Sequence, residues 1–263
     1  MHPHVNLAVR AARAAGSIIM RHLSQVDQLT VTAKQRNDFV TEVDRAAEQE
    51  IIRIIGRAHP DHAIVGEESG EHGEGEVTWI IDPLDGTTNY IHGFPQFAVS
   101  IGVVERGRVE HGVVYAPFTQ ELFTASRGAG AQLDGRRIRV SRVRTLQRAL
   151  IGTGFPNRTS TDRTLDQYMS QFRAVTEHSS GLRRAGAAAL DLAFVAAGRL
   201  DGFWEMGLKP WDIAAGMLLI TEAGGRVADL TGDDVLSSGN IVAGTPKIFS
   251  ALHELVRDAQ PPA

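Results

Sequence analysis

Residues 79–93 read WIIDPLDGTTNYIHG, an apolar run that ends in two acids, Asp82 and Asp85, and then in Gly86-Thr87-Thr88. Consecutive apolar residues followed by turn formers describe the end of a buried strand. Two carboxylates about 4 Å apart repel by roughly 4 kcal/mol at an effective dielectric of 20, so they need protonation, a basic partner or a metal ion. The segment 82–87 contains no Lys or Arg. Pro83 withholds an N–H and presets the turn. Gly86 lets the backbone come close to a ligand. The N–H groups of Gly86, Thr87 and Thr88 can face an anion if a helical turn starts there. Carboxylates for a hard cation beside amides for a phosphate describe a magnesium–phosphate site. The plainer reading, that both acids are turn and cap residues, explains each one alone better than it explains the whole hexapeptide.

Working outward, apolar residues at Val5, Ala8, Ala12, Ala15, Ile18 and Ile19 predict a helix over 5–23. Residues 24–40 are polar and read as a loop. A second helix is expected from Thr41 to about Arg57, and Pro60 blocks its continuation. From Val77 to Val140 short apolar runs at 78–81, 97–104, 109–115, 120–125 and 137–140 are divided by turns. "ERGR" at 105–108 and "LDGR" at 133–136 are hairpin signals, so this region reads as a largely antiparallel sheet. After Ala149 strands and helices alternate: strands at 149–153, 181–184, 201–206, 226–229 and 240–243, helices at 162–176, 187–198, 211–222 and 246–258. Gly224-Gly225 stops the third of these helices. The expected fold is an α/β (α+β) sandwich in two fused halves, 1–148 carrying the acidic loops and 149–263, together one compact unit.

Three other acids sit in comparable places. "IVGEESG" at 64–70 ends an apolar run with Glu67-Glu68, which could equally be a solvated loop. Asp44 lies three residues after Thr41, the spacing of a helix-start box. Asp212 follows Pro210-Trp211 at a helix start, where the helix dipole favours an acid. Each signal is weak alone, and their joint presence is what matters.

Composition narrows the field. The 263 residues are 43% hydrophobic and 22% charged, with formal net charge -4 and no cysteine. Disulfides and thiolate metal sites are excluded, and no global charge draws the chain to nucleic acid or anionic lipid. No basic and apolar leader and no apolar run near ~20 residues is present, which leads us to expect a cytoplasmic, membrane-free protein. There is no P-loop, and "IGTGFP" at 151–156 is not a dinucleotide fingerprint. The ten histidines are scattered; only His2 and His4 are close, and their terminal position explains that. Asp-x-x-Asp-Gly with "TGDD" at 231–234 suggests a covalent aspartyl phosphatase of the haloacid-dehalogenase type, but that family spaces its acids by one residue, not two.

The segments "NDFVTEVD", "IVGEESG", "WIIDPLDGTTNYIHGFPQFAVSIGV", "GAAALDLAFVAAGRLDGFWEMGLKPWD" and "WDIAAGMLLITEAGG", in this order along nearly the whole chain, resemble the inositol monophosphatase family, in its bacterial extragenic-suppressor branch. The resemblance implies a five-layered αβαβα sandwich, usually a homodimer, and a magnesium-dependent, lithium-sensitive phosphatase for inositol monophosphate or a related polyol or sugar phosphate. Of two to three magnesium ions, one would be held by Glu67, Asp82 and the Leu84 carbonyl. A second would be held by Asp82, Asp85 and Asp212, and a weaker third by Glu67 and waters. Asp44 and Thr87, with Glu67, would act on the attacking water. Asp85, Gly86, Thr87, Ala187, Ala188, Glu205 and Asp212 would contact substrate. Ala187 stands where the family often has a hydroxyl residue, which removes one side-chain bond to substrate. The branch is also associated with transcription complexes that make ribosomal RNA. Arg136, Arg137, Arg139, Arg142 and Arg144, or Arg183 and Arg184, could dock such a partner or form an ordinary solvated face.

Overall fold

A computed structural model describes residues 2–24, 31–35, 38–155 and 162–259. The first helix, α1 (Pro3–His22), carries Pro at its start, where a missing N–H costs nothing, and buries Ala8, Ala12, Ala15 and Ile19 on one face. The expected loop at 24–40 instead contains a short antiparallel hairpin, β1 (Val31–Gln35) and β2 (Asp38–Thr41). Strands of five and four residues are too short to show a clear alternation in the sequence. Helix α2 (Glu42–Ala58) follows, burying Val43, Ala47, Ile51 and Ile55.

The central sheet has eight strands: β3 (Ala63–Gly66), β4 (Gly70–His72), β5 (Val77–Asp85), β6 (Ala98–Glu105), β7 (Arg108–Ala116), β8 (Glu121–Ser126), β9 (Gly130–Leu133) and β10 (Arg136–Arg137). Their order is β10-β9-β8-β7-β6-β5-β3-β4, antiparallel except for the parallel β3–β5 pair. The two hairpin signals are realised as turns with φ of 50° and 75° at Arg106-Gly107 and 50° and 77° at Asp134-Gly135. The run expected at 137–140 is strand only at its first residue; Val140 N–H bonds instead to the Ala223 carbonyl.

Side-chain alternation along β5 sorts the layers. Trp79 and Ile81 join α1 and α2 in one core, while Ile80 joins helices on the opposite face. Those helices are α5 (Ala188–Ala196) and α6 (Pro210–Glu222), hydrophobic nearly all round because each is sandwiched between sheets. Gly102 and Gly112 are cross-strand partners that admit α6. A Cβ at Gly102 would lie 2.8 Å from Ala214 Cβ, and one at Gly112 2.9 Å from the Ala215 carbonyl oxygen.

Beyond α5 and α6 lies a second sheet of β11 (Leu150–Thr153), β12 (Gly181–Arg183), β13 (Gly202–Glu205), β14 (Arg226–Ala228) and β15 (Ile241–Gly244), in the order β12-β11-β13-β15-β14. Its outer face, with Ile151, Trp204 and Val242, is covered by α4 (Asp162–His178) and α8 (Pro246–Asp258), including Tyr168, Val175, Ile248 and Leu252. The architecture is thus helices, sheet, helices, sheet, helices. No helix among the described residues is long and apolar enough to cross a membrane.

The "TGDD" segment is a turn organised by the preceding Asp229. Asp229 accepts bonds from the N–H groups of Thr231 (2.6 Å), Gly232 (3.0 Å) and Asp233 (3.2 Å) and from the hydroxyls of Thr231 and Ser238. Asp234 caps the short helix α7 (Val235–Ser238). Burial opposes the Asp229 charge, but these donors outweigh it and hold its pKa at about 2. A depressed carboxylate pKa contributes stability that is complete above the unfolded value near ~4 and is lost as pH falls toward that of the folded state. Asp229→Asn is therefore expected to lower stability by about 1–3 kcal/mol at pH 7. The deficit should shrink in thermal melts taken at successively lower pH between ~4 and ~2.

Candidate active site

Strand β5 delivers the two opening acids to one side. In a regular strand, residues three apart point to opposite faces. Between Asp82, paired with Ser100, and Asp85, paired with Ala98, the register slips: two residues of β5 intervene where β6 has one. This bulge restores a common face. Leu84, within it, packs into the α1/α2 core, while the Asp85 carboxylate reaches the opposite layer and accepts the Ala189 N–H of α5 at 2.8 Å. Pro83 fits a break in the ladder because it has no N–H to leave unpaired. Asp82 Oδ1 accepts the Leu84 N–H at 2.9 Å, which closes the bulge on itself.

Gly86 takes φ 90°, ψ 35° and starts α3 (Thr87–Ile91). That conformation suits glycine, and a Cβ here would lie 2.7 Å from the Gln96 carbonyl oxygen. The amides of Thr87 and Thr88 form the first turn of α3, whose position is fixed at both ends. The buried Tyr90 hydroxyl donates to the Ile19 carbonyl of α1, and Asn89 Nδ2 donates to the carbonyls of Gln96 (2.7 Å) and Ala185 (2.8 Å). Thr87 Oγ1 lies 3.0 Å from Asp44 Oδ1 and 3.1 Å from the Leu84 carbonyl oxygen. Asp44 is fully buried, so it is more than the helix-start acid its spacing allows.

The remaining acids arrive from other elements. Glu67 follows β3 and its N–H bonds to the Ile81 carbonyl, which places it beside the end of β5. Glu48, buried in α2, accepts the Glu68 N–H at 2.9 Å and so braces this turn. Gly66 admits it, since a Cβ there would lie inside contact distance of the Glu48 carboxylate. Asp212, in the first turn of α6, accepts the Lys209 N–H at 2.7 Å, so the helix-start role is real. It is also electrostatically joined to Asp82 and Asp85. Burial, then Glu67, Asp85 and Asp212, push the Asp82 pKa well above the usual carboxylate range. Burial and Asp212 do the same to Asp85, against the Ala189 N–H. Neither Asp82 nor Asp85 is paired with a lysine or arginine among the described residues. A buried cluster of hard oxygen donors whose members repel one another has the donor chemistry of a divalent-cation site.

Around this cup stand Ala187 and Ala188, at the start of α5, and Glu205, at the end of β13. Ala187 is the N-cap of α5 and makes no side-chain cap bond; Asp85 supplies the helix with an acceptor from across the site. Burial and then Asp191, Asp212 and Asp85 raise the Glu205 pKa well above its ordinary value, against the pull of Arg184. Asp191 and Arg184 were not expected here. Asp191 is the lone acid in the apolar helix "AALDLAF", and that isolation was the available signal. Burial raises its pKa to about 8 despite Arg184, and its Oδ1 has no hydrogen-bond partner. Gly154 gives Glu205 its room: a Cβ at this position would overlap the carboxylate. Gly154→Ala is expected to displace Glu205 and raise KM by about 3- to 10-fold, with a smaller change in kcat. Steady-state kinetics with circular dichroism as a folding check will show it.

Comparison with known proteins identifies the family and the fold. A family model described as inositol monophosphatase family matches residues 1–260. A Pseudomonas aeruginosa protein named Nus factor SuhB is 54% identical over 100% of this chain and 99% of its own length. The crystal structure of extragenic suppressor protein suhB from Bartonella henselae superposes with TM-score 0.94 at 43% identity, covering 98% of this chain and 99% of that one. An inositol monophosphatase structure from Anabaena (Nostoc) gives TM-score 0.87 at 38% identity, covering 98% and 96%.

Proposed function

Because the chain belongs to the inositol monophosphatase family, whose fold and membership support phosphatase activity, we propose that it is a magnesium-dependent phosphatase hydrolysing inositol monophosphate or a related polyol or sugar phosphate. The carrying observation is the elevation of the Asp82 and Asp85 pKa values by burial and then by neighbouring acids, Glu67 and Asp212 among them, brought together from three separate chain segments. Glu67, Asp82, Asp85, Asp212 and the Leu84 carbonyl would hold two to three magnesium ions. When bound, such ions neutralise the phosphate and acidify an attacking water.

The chain's own residues supply the remaining parts. With its hydroxyl hydrogen directed at Asp44, Thr87 Oγ1 offers lone pairs to a water, and Asp44 is the buried base behind it. The amides of Gly86 and Thr87 donate to phosphate oxygens at the start of α3. Glu205 accepts hydrogen bonds from substrate hydroxyls, and the backbone of Ala187 and Ala188 lines the same side. Bringing these groups together in one geometry converts a very slow hydrolysis into an in-line displacement with little motion left to organise.

A panel of phosphate esters, assayed for released phosphate with magnesium and with chelator, tests the reading. Turnover of inositol phosphates only with magnesium is expected; none of the panel being hydrolysed would overturn it. The relatives named Nus factor favour a second role alongside the first, as a protein partner in a transcription complex. Co-purification of the untreated protein with transcription elongation factors is the corresponding test.

A further inference from the structure

The fold gathers five of the ten scattered histidines into one cluster at the opposite end of β5 from the acids. His2 and His4 come from the start of α1, His59 and His62 from the turn after α2, and His111 from β7. His4 is the hub: its ring centroid lies 5.0 Å from that of His2, 5.2 Å from His59, 5.5 Å from His62 and 5.8 Å from His111. Two trios, His2-His4-His111 and His4-His59-His62, each offer one ligand nitrogen per ring within 4.8 Å of the others.

Hydrogen bonds decide between them. His4 Nδ1 lies 2.8 Å from Glu105 Oε1, and a carboxylate only accepts, so the hydrogen is on Nδ1 and the Nε2 lone pair is available. His111 Nδ1 lies 2.9 Å from Ser126 Oγ and its Nε2 lies 3.5 Å from Glu105 Oε1, so donation to the hydroxyl leaves Nε2 for a ligand that replaces this long carboxylate contact. A carboxylate or hydroxyl fixing the far nitrogen of a histidine is the usual support of a ligating imidazole. His62 is placed the other way. The Trp79 indole N–H, which can only donate, occupies its Nδ1 at 3.0 Å and leaves the proton on Nε2. His2 is exposed and stacks on His111 at 4.1 Å. Its Nδ1 accepts the His4 N–H at 3.3 Å, which leaves its Nε2 for a ligand.

We propose that His2, His4 and His111, with Glu105 orienting His4, form a second metal site, for a borderline first-row cation such as zinc or nickel. Neutral imidazoles suit these ions and not magnesium, which prefers the oxygen donors of the acidic cup. Trp79 is three residues from Asp82, about 10 Å along the strand, so the two sites are separate. An ion here would tie the start of α1 to β7.

The test is zinc titration by calorimetry of the full chain, with no histidine tag and with magnesium in excess to occupy the cup, joined to the visible spectrum of the cobalt(II) form. One zinc equivalent is expected, with cobalt(II) bands of histidine coordination, and at least about tenfold weaker binding in His2→Ala and in His111→Gln. His2→Ala changes an exposed residue and keeps the test valid if His111→Gln does not fold. His59→Ala should bind within about threefold of the parent. No zinc bound beyond the cup, unchanged affinity in both His2→Ala and His111→Gln, or loss in His59→Ala with retention in His2→Ala would each overturn the assignment.

Discussion

Asp82→Asn is expected to lower kcat by about 10³-fold or more while making the metal-free protein more stable, an opposition that few substitutions produce. Asp82 is nearly fully buried, and burial followed by Glu67, Asp85 and Asp212 raises its pKa. An amide keeps the size and one acceptor oxygen, so the Leu84 N–H retains its partner at Asp82 Oδ1. What is lost is a charge, and in the metal-free cup that charge is a liability of several neighbours at once. With magnesium the sign is expected to reverse, because in the proposed site this carboxylate would help hold the metal. Thermal melts in chelator should rank the variant above the parent, and melts in magnesium below it. Wild-type turnover in the variant at modest magnesium would remove Asp82 from the proposed machinery.

The second large effect is a pH dependence that magnesium abolishes. Asp82, Asp85 and Glu205 all have folded pKa values raised above their unfolded ones, each chiefly by burial. The folded state therefore holds protons that the unfolded chain releases near pH ~4, and stability from these groups is complete below that and is lost as pH rises through the folded values. In chelator the melting temperature is expected to fall as pH rises above ~4 toward the raised folded values. In the proposed site magnesium would replace the protons as counter-charge for the acids that hold it. At about 100 times its Kd, one ion adds about 2.7 kcal/mol, or roughly 5–10 °C for a chain of this size, and the gain should be larger at pH 8 than at pH 6. Equal magnesium shifts at both pH values would show that the cup is already ionised and accommodated without the ion.

Helices and strands from 41 to 258 were legible to within a few residues because their apolar positions repeat at the period of the element and Gly or Pro marks the ends. The small pieces escaped: the hairpin β1–β2, the edge strand β4, the strand β9 and α7 are too short to show a period. The acids of the cup were legible as well, each standing where an apolar run or a helix start calls for an explanation. Glu48 was not, since an acid in a helix of mixed composition looks like a solvated one until its burial is known.

By itself, the sequence determined most of the helices and strands and that Glu67, Asp82, Asp85 and Asp212 are the acids to consider, because periodicity and turn chemistry are local properties; the five layers were implied only by the family resemblance. Only the tertiary structure decided that a bulge turns Asp82 and Asp85 to one face, that Asp191 and Arg184 flank Glu205, and that histidines from three distant segments meet around His4. Those facts depend on distances between residues far apart in the chain, and such distances are fixed by how layers pack, not by any pattern written along the polypeptide.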